Sequence, residues 1–248
     1  MPPLFVVSDV HGFRDDLVEG LAEFGLVTGD GRWSGADAQL WILGDLMDRG
    51  PDGIGVVNFV MSLQSQAPDQ VHPLLGNHEA LAVGTKRFPD SSFAQSWLTN
   101  GGQARDQDSL TDEHLTWLSG LPPLARVEDF LFMHSDTTAY LTWGSTVHEV
   151  NESVAAKLAS DDVDAHWEVW AQLTSRYHFA VRNGSSVATR MLDGFGGTQI
   201  VHGHSIIGTL TNQPSDQITG PVVYADGQVL AIDGGRYDGG PLLVIRLR

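Results

Sequence analysis

The stretch Ser8-Asp9-Val10-His11-Gly12 (SDVHG) follows directly on the apolar run PLFVV, residues 3–7. In a β-strand, residues i and i+2 share a face. An aspartate and a histidine separated only by Val10, at the end of a buried strand, therefore bring two metal-ligating groups together. That is half a site, and the other half has to come from elsewhere in the chain.

Two further apolar runs end in the same way. AQLWILGD (38–45) and QVHPLLGNHE (70–79) read as buried strands that stop at polar, glycine-containing clusters. Between the runs lie FRDDLVEGLAEFGL, with Phe13, Leu17, Leu21 and Phe24 at helical spacing, and DGIGVVNFVMSLQ, whose helix starts near Pro51. Strand, loop and helix repeated in this order predict βαβ units and a mostly parallel sheet. Ligands of such sheets bind at the carboxyl ends of the strands, where these clusters lie. The second half differs. LARVEDFLFMH (124–134) and VVYADGQVLAID (222–233) read as hairpins, the latter turning at Asp226-Gly227. STVHEVNESVAAKLAS (145–160) is helical, with Val147, Val150, Val154 and Leu158 on one stripe, and LLVIRLR (242–248) closes as a strand. The whole of 1–248 is read as one domain. The segments at about 84–122 and 136–196, tryptophan-containing and less regular, are expected to form a cap or substrate rim.

Composition limits the chemistry. The chain has 248 residues, 42% apolar and 18% charged, which is enough for a real core. It has no cysteine, so thiol nucleophiles and cysteine zinc sites are excluded. The formal charge of −17 argues against nucleic-acid binding through a basic field. With no long apolar run and no signal-peptide pattern, no membrane is expected, and a cytoplasmic location is.

The clusters SDVHG, GDLMDRG (44–50), GNHE (76–79), FMHSD (132–136) and VHGHS (201–205) supply Asp9, His11, Asp45, Asn77, His134 and His204. Oxygen and imidazole donors suit manganese, iron or zinc. A carboxylate such as Asp45 has two oxygens and can span two ions.

In their order these motifs resemble the calcineurin-like metallophosphoesterases, specifically the phosphoprotein phosphatase branch of the bacterial type. That pattern is GDxHG, GDxxDRG, GNHE and two later histidines. GDLMDRG and GNHE match it letter for letter, and SDVHG departs from it only at Ser8. After His134 the family usually shows glycines, whereas Ser135 and Asp136 stand here. The resemblance implies a fold of two packed mixed β-sheets flanked by helices. It implies two divalent ions, manganese first among them, with Asp9 and His11 on one, Asn77, His134 and His204 on the other, and Asp45 bridging both. Arg49 would hold substrate phosphate, with Asn77 alongside. Arg176 is taken as the second phosphate arginine, ahead of Arg182 and Arg190. His78 would be the general acid, supported by Asp48. The implied reaction is hydrolysis of phosphomonoesters, phosphoserine and phosphothreonine included, by a hydroxide held between the two ions. Hydrolysis of dinucleoside polyphosphates is the alternative, and a catalytically silent metal-binding scaffold the third. Phosphorylated proteins or small molecules are the partners expected.

Other readings compete at single positions. Asp9 and His11 alone could be an Asx-turn and a loop histidine, and His134 a core histidine. His202 reads as packing, and His72, His114, His148, His166 and His178 as structural or exposed. Trp97, Trp117, Trp143, Trp167 and Trp170 read as packing residues rather than a recognition platform.

Overall fold

The computed structural model describes residues 1–248. The three apolar runs become β1 (Leu4–Val7), β2 (Gln39–Ile42) and β3 (Val71–Pro73). They pair in parallel in the order β3-β2-β1. The second sheet holds β4 (Leu124–Val127), β5 (Phe130–Met133), β6 (Gln199–His202), β7 (Val222–Tyr224) and β8 (Val229–Ala231). Its order is β4-β5-β6-β8-β7, with β5, β6 and β8 parallel and the two predicted hairpins forming its antiparallel edges. The closing run LLVIRLR yields only the short β9 (Ile245–Arg246), antiparallel on the free edge of β1.

The sheets stack because alternate residues of β1 are apolar in both directions. Leu4 and Val6 meet Phe132, Val201 and Leu230 of the other sheet, together with Leu43 and Leu74. Phe5 and Val7 face the helical side, in one core with Leu17, Leu21, Val56 and Val60. Each such side chain contributes about 1.5–3 kcal/mol on burial. This is the two-sheet α/β architecture the motifs imply. The helices Arg14–Glu23 and Gly53–Gln66 make the crossovers between parallel strands. The second is capped by Asp52, whose carboxylate accepts from the Gly55 amide at 3.0 Å. The expected stripe on the first is shorter than its spacing. Leu17 and Leu21 are buried, but Phe24 lies at the surface and Phe13 is half-buried before the helix begins.

The segments expected to be irregular are helical. Residues 84–122 contain Ser92–Thr99, Ala104–Ser109 and Asp112–Ser119. Residues 136–196 contain Tyr140–Trp143, Val147–Ala159, Val163–Thr174 and Gly184–Phe195. Short amphipathic helices with many polar surface residues lack the long apolar runs that make strands conspicuous. Their starts are nonetheless encoded: Thr111 and Thr146 each accept a hydrogen bond from the amide three residues on. Val150, Val154 and Leu158 join the same apolar core as Leu40 and Ile42. No helix is long and apolar enough to cross a membrane.

Candidate active site

The loops after β1, β2, β3, β5 and β6 converge. His11 N–H donates to the Asp45 carbonyl at 2.8 Å, and Gly203 N–H to that of His134 at 2.9 Å. Glu79, fully buried, accepts from the amides of Asp45 (2.8 Å), Leu46 (2.8 Å) and Gly76 (2.9 Å), clasping the loop after β2 to the loop after β3. Gly76 is required there, since a Cβ would run into Asp45. Asp9, His11, Asp45, Asp48, Arg49 and His204 all have φ between 46° and 65°. Non-glycine residues rarely adopt this region, and strain of this kind persists where surrounding structure over-determines it, notably at active sites.

Two donor groups result. Asp9, Asp45, His134 and His204 offer ligand atoms within 4.8 Å of one another, and so do His11, Asp45 and His78. Asp45 is common to both, as a bridging carboxylate would be. The division differs from the implied one in placing Asp9 with the later histidines. Asn77 joins through its Oδ1, which is 2.9 Å from His134 Nε2.

The ring hydrogen bonds decide which nitrogen faces inward. His134 Nδ1–H donates to the Leu43 carbonyl (2.7 Å), His11 Nδ1–H to that of Met47 (3.0 Å), and His204 Nε2–H to that of Thr174 (3.0 Å). Each ring so held turns a lone pair into the site, the arrangement that orients metal-binding imidazoles. His134 Nε2 and His204 Nδ1 then face each other at 3.2 Å, with the Asn77 oxygen beside them and no proton to share. Converging lone pairs repel unless a cation lies among them. Electrostatics agree. Burial first, then the Arg49 charge, holds His11 well below the usual imidazole range, and burial followed by the His134 charge does so for His204. Neutral imidazole is the form that binds metal. Burial, then the charges of Asp9 and Glu79, pushes the Asp45 carboxyl well above its ordinary value. A divalent ion reverses that penalty. The residues present therefore fit a metal centre.

His78 extends from the N-terminus of the helix Asn77–Arg87. Its Nδ1–H donates to Asp48 at 2.8 Å, while Nε2 is buried without a partner. Burial, followed by the Arg49 charge, lowers its proton affinity, so the neutral ring is favoured until an anion approaches Nε2. Burial raises the Asp48 carboxyl to about 6, against the opposing hydrogen bond from Trp97. That indole donates to Asp48 at 3.1 Å. Trp97 packs, as expected, but it also fixes the partner of His78. The C-terminal end of the helix Ser92–Thr99, which carries Trp97, holds Arg49, whose amide donates to the Gly101 carbonyl (2.9 Å) and whose Nε donates to that of Asn100 (3.3 Å). The Arg49 guanidinium donates to His11 Nε2 at 3.1 Å and lies 3.9 Å above the Tyr237 ring.

Arg176 follows the helix Val163–Thr174, and its charge acts on His78, His134 and His204. Arg182 and Arg190 are exposed on the surface. The departures from the family pattern have structural uses. Ser8 donates its hydroxyl to Asp9, and Asp136 accepts from the Ser205 hydroxyl and from the Tyr177 amide at 2.8 Å. Asp136 thus ties the His134 loop to the His204 loop and to the segment carrying Arg176. His202 donates or accepts at Tyr224 (2.8 Å) and is in neither donor group. His72, His114, His148, His166 and His178 are also outside them.

Sequence reasoning missed Asp233. It is buried, one carboxylate oxygen has no partner, and burial and then the charge of Asp9 push its carboxyl well up. Its signal was present: AIDGG, a strand end followed by an acid and glycines, repeats the pattern of the other clusters.

Nitrogen and oxygen donors gathered at the carboxyl ends of a two-sheet sandwich, with an arginine beside them, mark a fold and site of the metallophosphoesterase type. The chain belongs to the calcineurin-like phosphoesterase family, whose model matches residues 2–208. That family uses a dimetal centre. The chain is 32% identical over 135 residues to a symmetrical bis(5'-nucleosyl)-tetraphosphatase of Vibrio campbellii, which covers 53% of this chain and 43% of that one. It is 23% identical over 250 residues to Shewanella-like protein phosphatase 1 of Plasmodium berghei, covering 94% of this chain and 66% of that protein. The chain spans about half the length of the curated tetraphosphatases it matches, 43% to 51% among three of them. In fold it is similar to a cold-active protein-tyrosine phosphatase of a psychrophilic Shewanella, with a TM-score of 0.74 and 20% identity over 100% of this chain and 76% of that one.

Proposed function

We propose that the chain hydrolyses dinucleoside polyphosphates, cleaving a phosphoanhydride within the polyphosphate bridge. The observation that carries this reading is the 32% identity to a symmetrical bis(5'-nucleosyl)-tetraphosphatase. It reverses the order expected from the motifs, which favoured phosphomonoesters. The phosphomonoester reading, protein phosphates included, remains second, supported by likeness to a protein phosphatase along 94% of the chain.

Asp9, His11, Asp45, Asn77, His134 and His204 would hold two divalent ions, Asp45 being common to both donor groups. Bound there, the ions would polarise the phosphoryl group and make hydroxide available near neutral pH. Arg49 and Arg176 would bind the phosphoryl oxygens and offset their developing charge. His78 would deliver a proton from Nε2 to the leaving oxygen, while Asp48 and Trp97 hold the ring in place. The negative charge of the substrate raises the proton affinity of a ring that is otherwise kept neutral. Chelation is expected to abolish turnover, and manganese to restore it better than iron or zinc. Full activity in a metal-stripped sample would overturn the mechanism.

The deciding assay compares diadenosine tetraphosphate with a phosphothreonine peptide in the presence of manganese. A larger kcat/KM for the dinucleotide is expected, and a larger value for the peptide would restore the phosphomonoester reading. Arg49 offers a second check. Its guanidinium can form two parallel hydrogen bonds to phosphate, which lysine cannot copy. Arg49→Lys is expected to lose roughly tenfold or more in kcat/KM, about one charge-assisted hydrogen bond. Wild-type behaviour would mean that only a point charge is needed.

A further inference from the structure

A polar cleft of about 370 Å³ opens beside the candidate metal ligands. Its charged walls are Arg14, Arg236, Asp15, Asp16 and Asp52, with Gly12, Phe13 and Pro51 between them. Each wall is the direct continuation of an active-site residue. Gly12 to Asp16 follow His11, Pro51 and Asp52 follow Arg49 after Gly50, and Arg236 precedes Tyr237. Tyr237, next in sequence to Arg236, has its ring 5.1 Å from that of His11 and 3.9 Å from the Arg49 guanidinium.

Three aspartates line the cleft against two arginines, so a role in binding phosphate depends on how each acid is engaged. Only 14 of 248 residues are lysine or arginine, and the net charge is −17. Yet Arg14 and Arg236 both line this cleft, and Arg49 stacks on Tyr237, the residue after Arg236. Arg236 lies 4.1 Å over the Phe13 ring and pairs with Asp16, a contact between side chains 29% and 34% exposed. So exposed a pair contributes little by itself. Its effect is to hold the guanidinium at the cleft while leaving it free to exchange partners. Arg14 is 41% exposed and 3.7 Å from the fully exposed Asp15, so it is equally exchangeable. Asp52 is already committed as the cap of its helix. The volume lies within the roughly 300–1,000 Å³ of ligand pockets.

We propose that this cleft is the subsite for the part of the substrate beyond the scissile phosphorus, with Arg236 and Arg14 on its phosphate chain. The proposal rests on the dinucleoside polyphosphate reading and assigns the residues that would separate such a substrate from a phosphomonoester. A phosphate on a small alcohol ends at Arg49. A polyphosphate chain continues past Tyr237 into the cleft, where guanidinium forks match successive phosphate oxygens.

The test measures kcat/KM for diadenosine tetraphosphate and for 4-nitrophenyl phosphate, with manganese, in the wild type and in Arg236→Ala, Arg236→Lys and Arg14→Ala. The ratio of the two values is expected to fall about tenfold or more in Arg236→Ala, mainly through KM for the dinucleotide, with part of the loss recovered by lysine. An unchanged ratio in both alanine variants would overturn the proposal. If the wild type does not cleave diadenosine tetraphosphate, the functional reading has failed, and the cleft is judged separately. ADP and orthophosphate are then compared as inhibitors of nitrophenyl phosphate hydrolysis. Tighter inhibition by ADP, weakened about tenfold in Arg236→Ala while orthophosphate inhibition does not follow, supports the subsite. Equal inhibition by the two in the wild type overturns it. A misfolded Arg236→Ala is recognised by its melting curve, and Arg236→Lys and Arg14→Ala then carry the comparison.

Discussion

Asp45→Asn is expected to abolish most turnover while making the metal-free protein more heat-stable at neutral pH. The two effects share one cause. Asp45 is the only residue in both donor groups, so the change weakens both ion sites together. The loss in kcat/KM should exceed the roughly 10–100-fold typical of losing an outer partner of a metal ligand. Without metal, the same carboxylate is a liability. Burial and the charges of Asp9 and Glu79 raise its folded-state proton affinity. A raised carboxyl adds stability below its unfolded value of about 3.9, and that stability is lost as pH rises to and through the folded value. The loss grows as pH rises from the acid side towards neutrality, and asparagine removes it. Metal-free Asp45→Asn should therefore melt a few degrees above the metal-free wild type at pH 7.5, with the gap narrowing towards pH 4. Activity, bound metal and melting temperature measured on the same samples check this. Normal metal content with normal activity would show that Asp45 does not bridge.

His78→Asn tests a role rather than importance. A general acid matters in proportion to how strongly the leaving group needs a proton. An alkoxide needs one, whereas nitrophenolate or a nucleoside diphosphate leaves far more easily. The variant should lose about 10²–10⁴-fold on alkyl phosphates and much less on the other two. Asp48→Asn should follow the same pattern more mildly, because Asp48 acts only through the 2.8 Å hydrogen bond to the ring. Equal losses on all substrates with unchanged metal content would assign His78 to stabilising phosphoryl charge. Equal losses with reduced metal would mean that it shapes the loop carrying Asn77.

Much of the site was legible because strand ends are locally encoded. A short apolar run ending in glycine and in acid, amide or histidine side chains marks β1, β2 and β3 and brings Asp9, His11, Asp45, Asn77 and His78 to the strand ends. Asp233 has the same form and was read only as the end of a hairpin, because no second ligand stands beside it in sequence. Glu79 was quoted within GNHE without a role. Its three amide partners come from two loops that meet only after the strands have paired.

By itself, the sequence determined the α/β order and the polar clusters at the strand ends, since these depend on periodicity and on residues within a few positions of one another, while the two-sheet class came from the resemblance of its motifs to the family. Only the tertiary structure decided how the donors are divided around Asp45, which ring nitrogen each histidine turns inward, and that Trp97 and Tyr237 serve the site. Those properties depend on partners far apart in the chain, such as Leu43 for His134, Thr174 for His204, and Asp48 for Trp97. Contacts of that kind leave no local period or spacing, because closing the long loops that create them is the work of the shared apolar core.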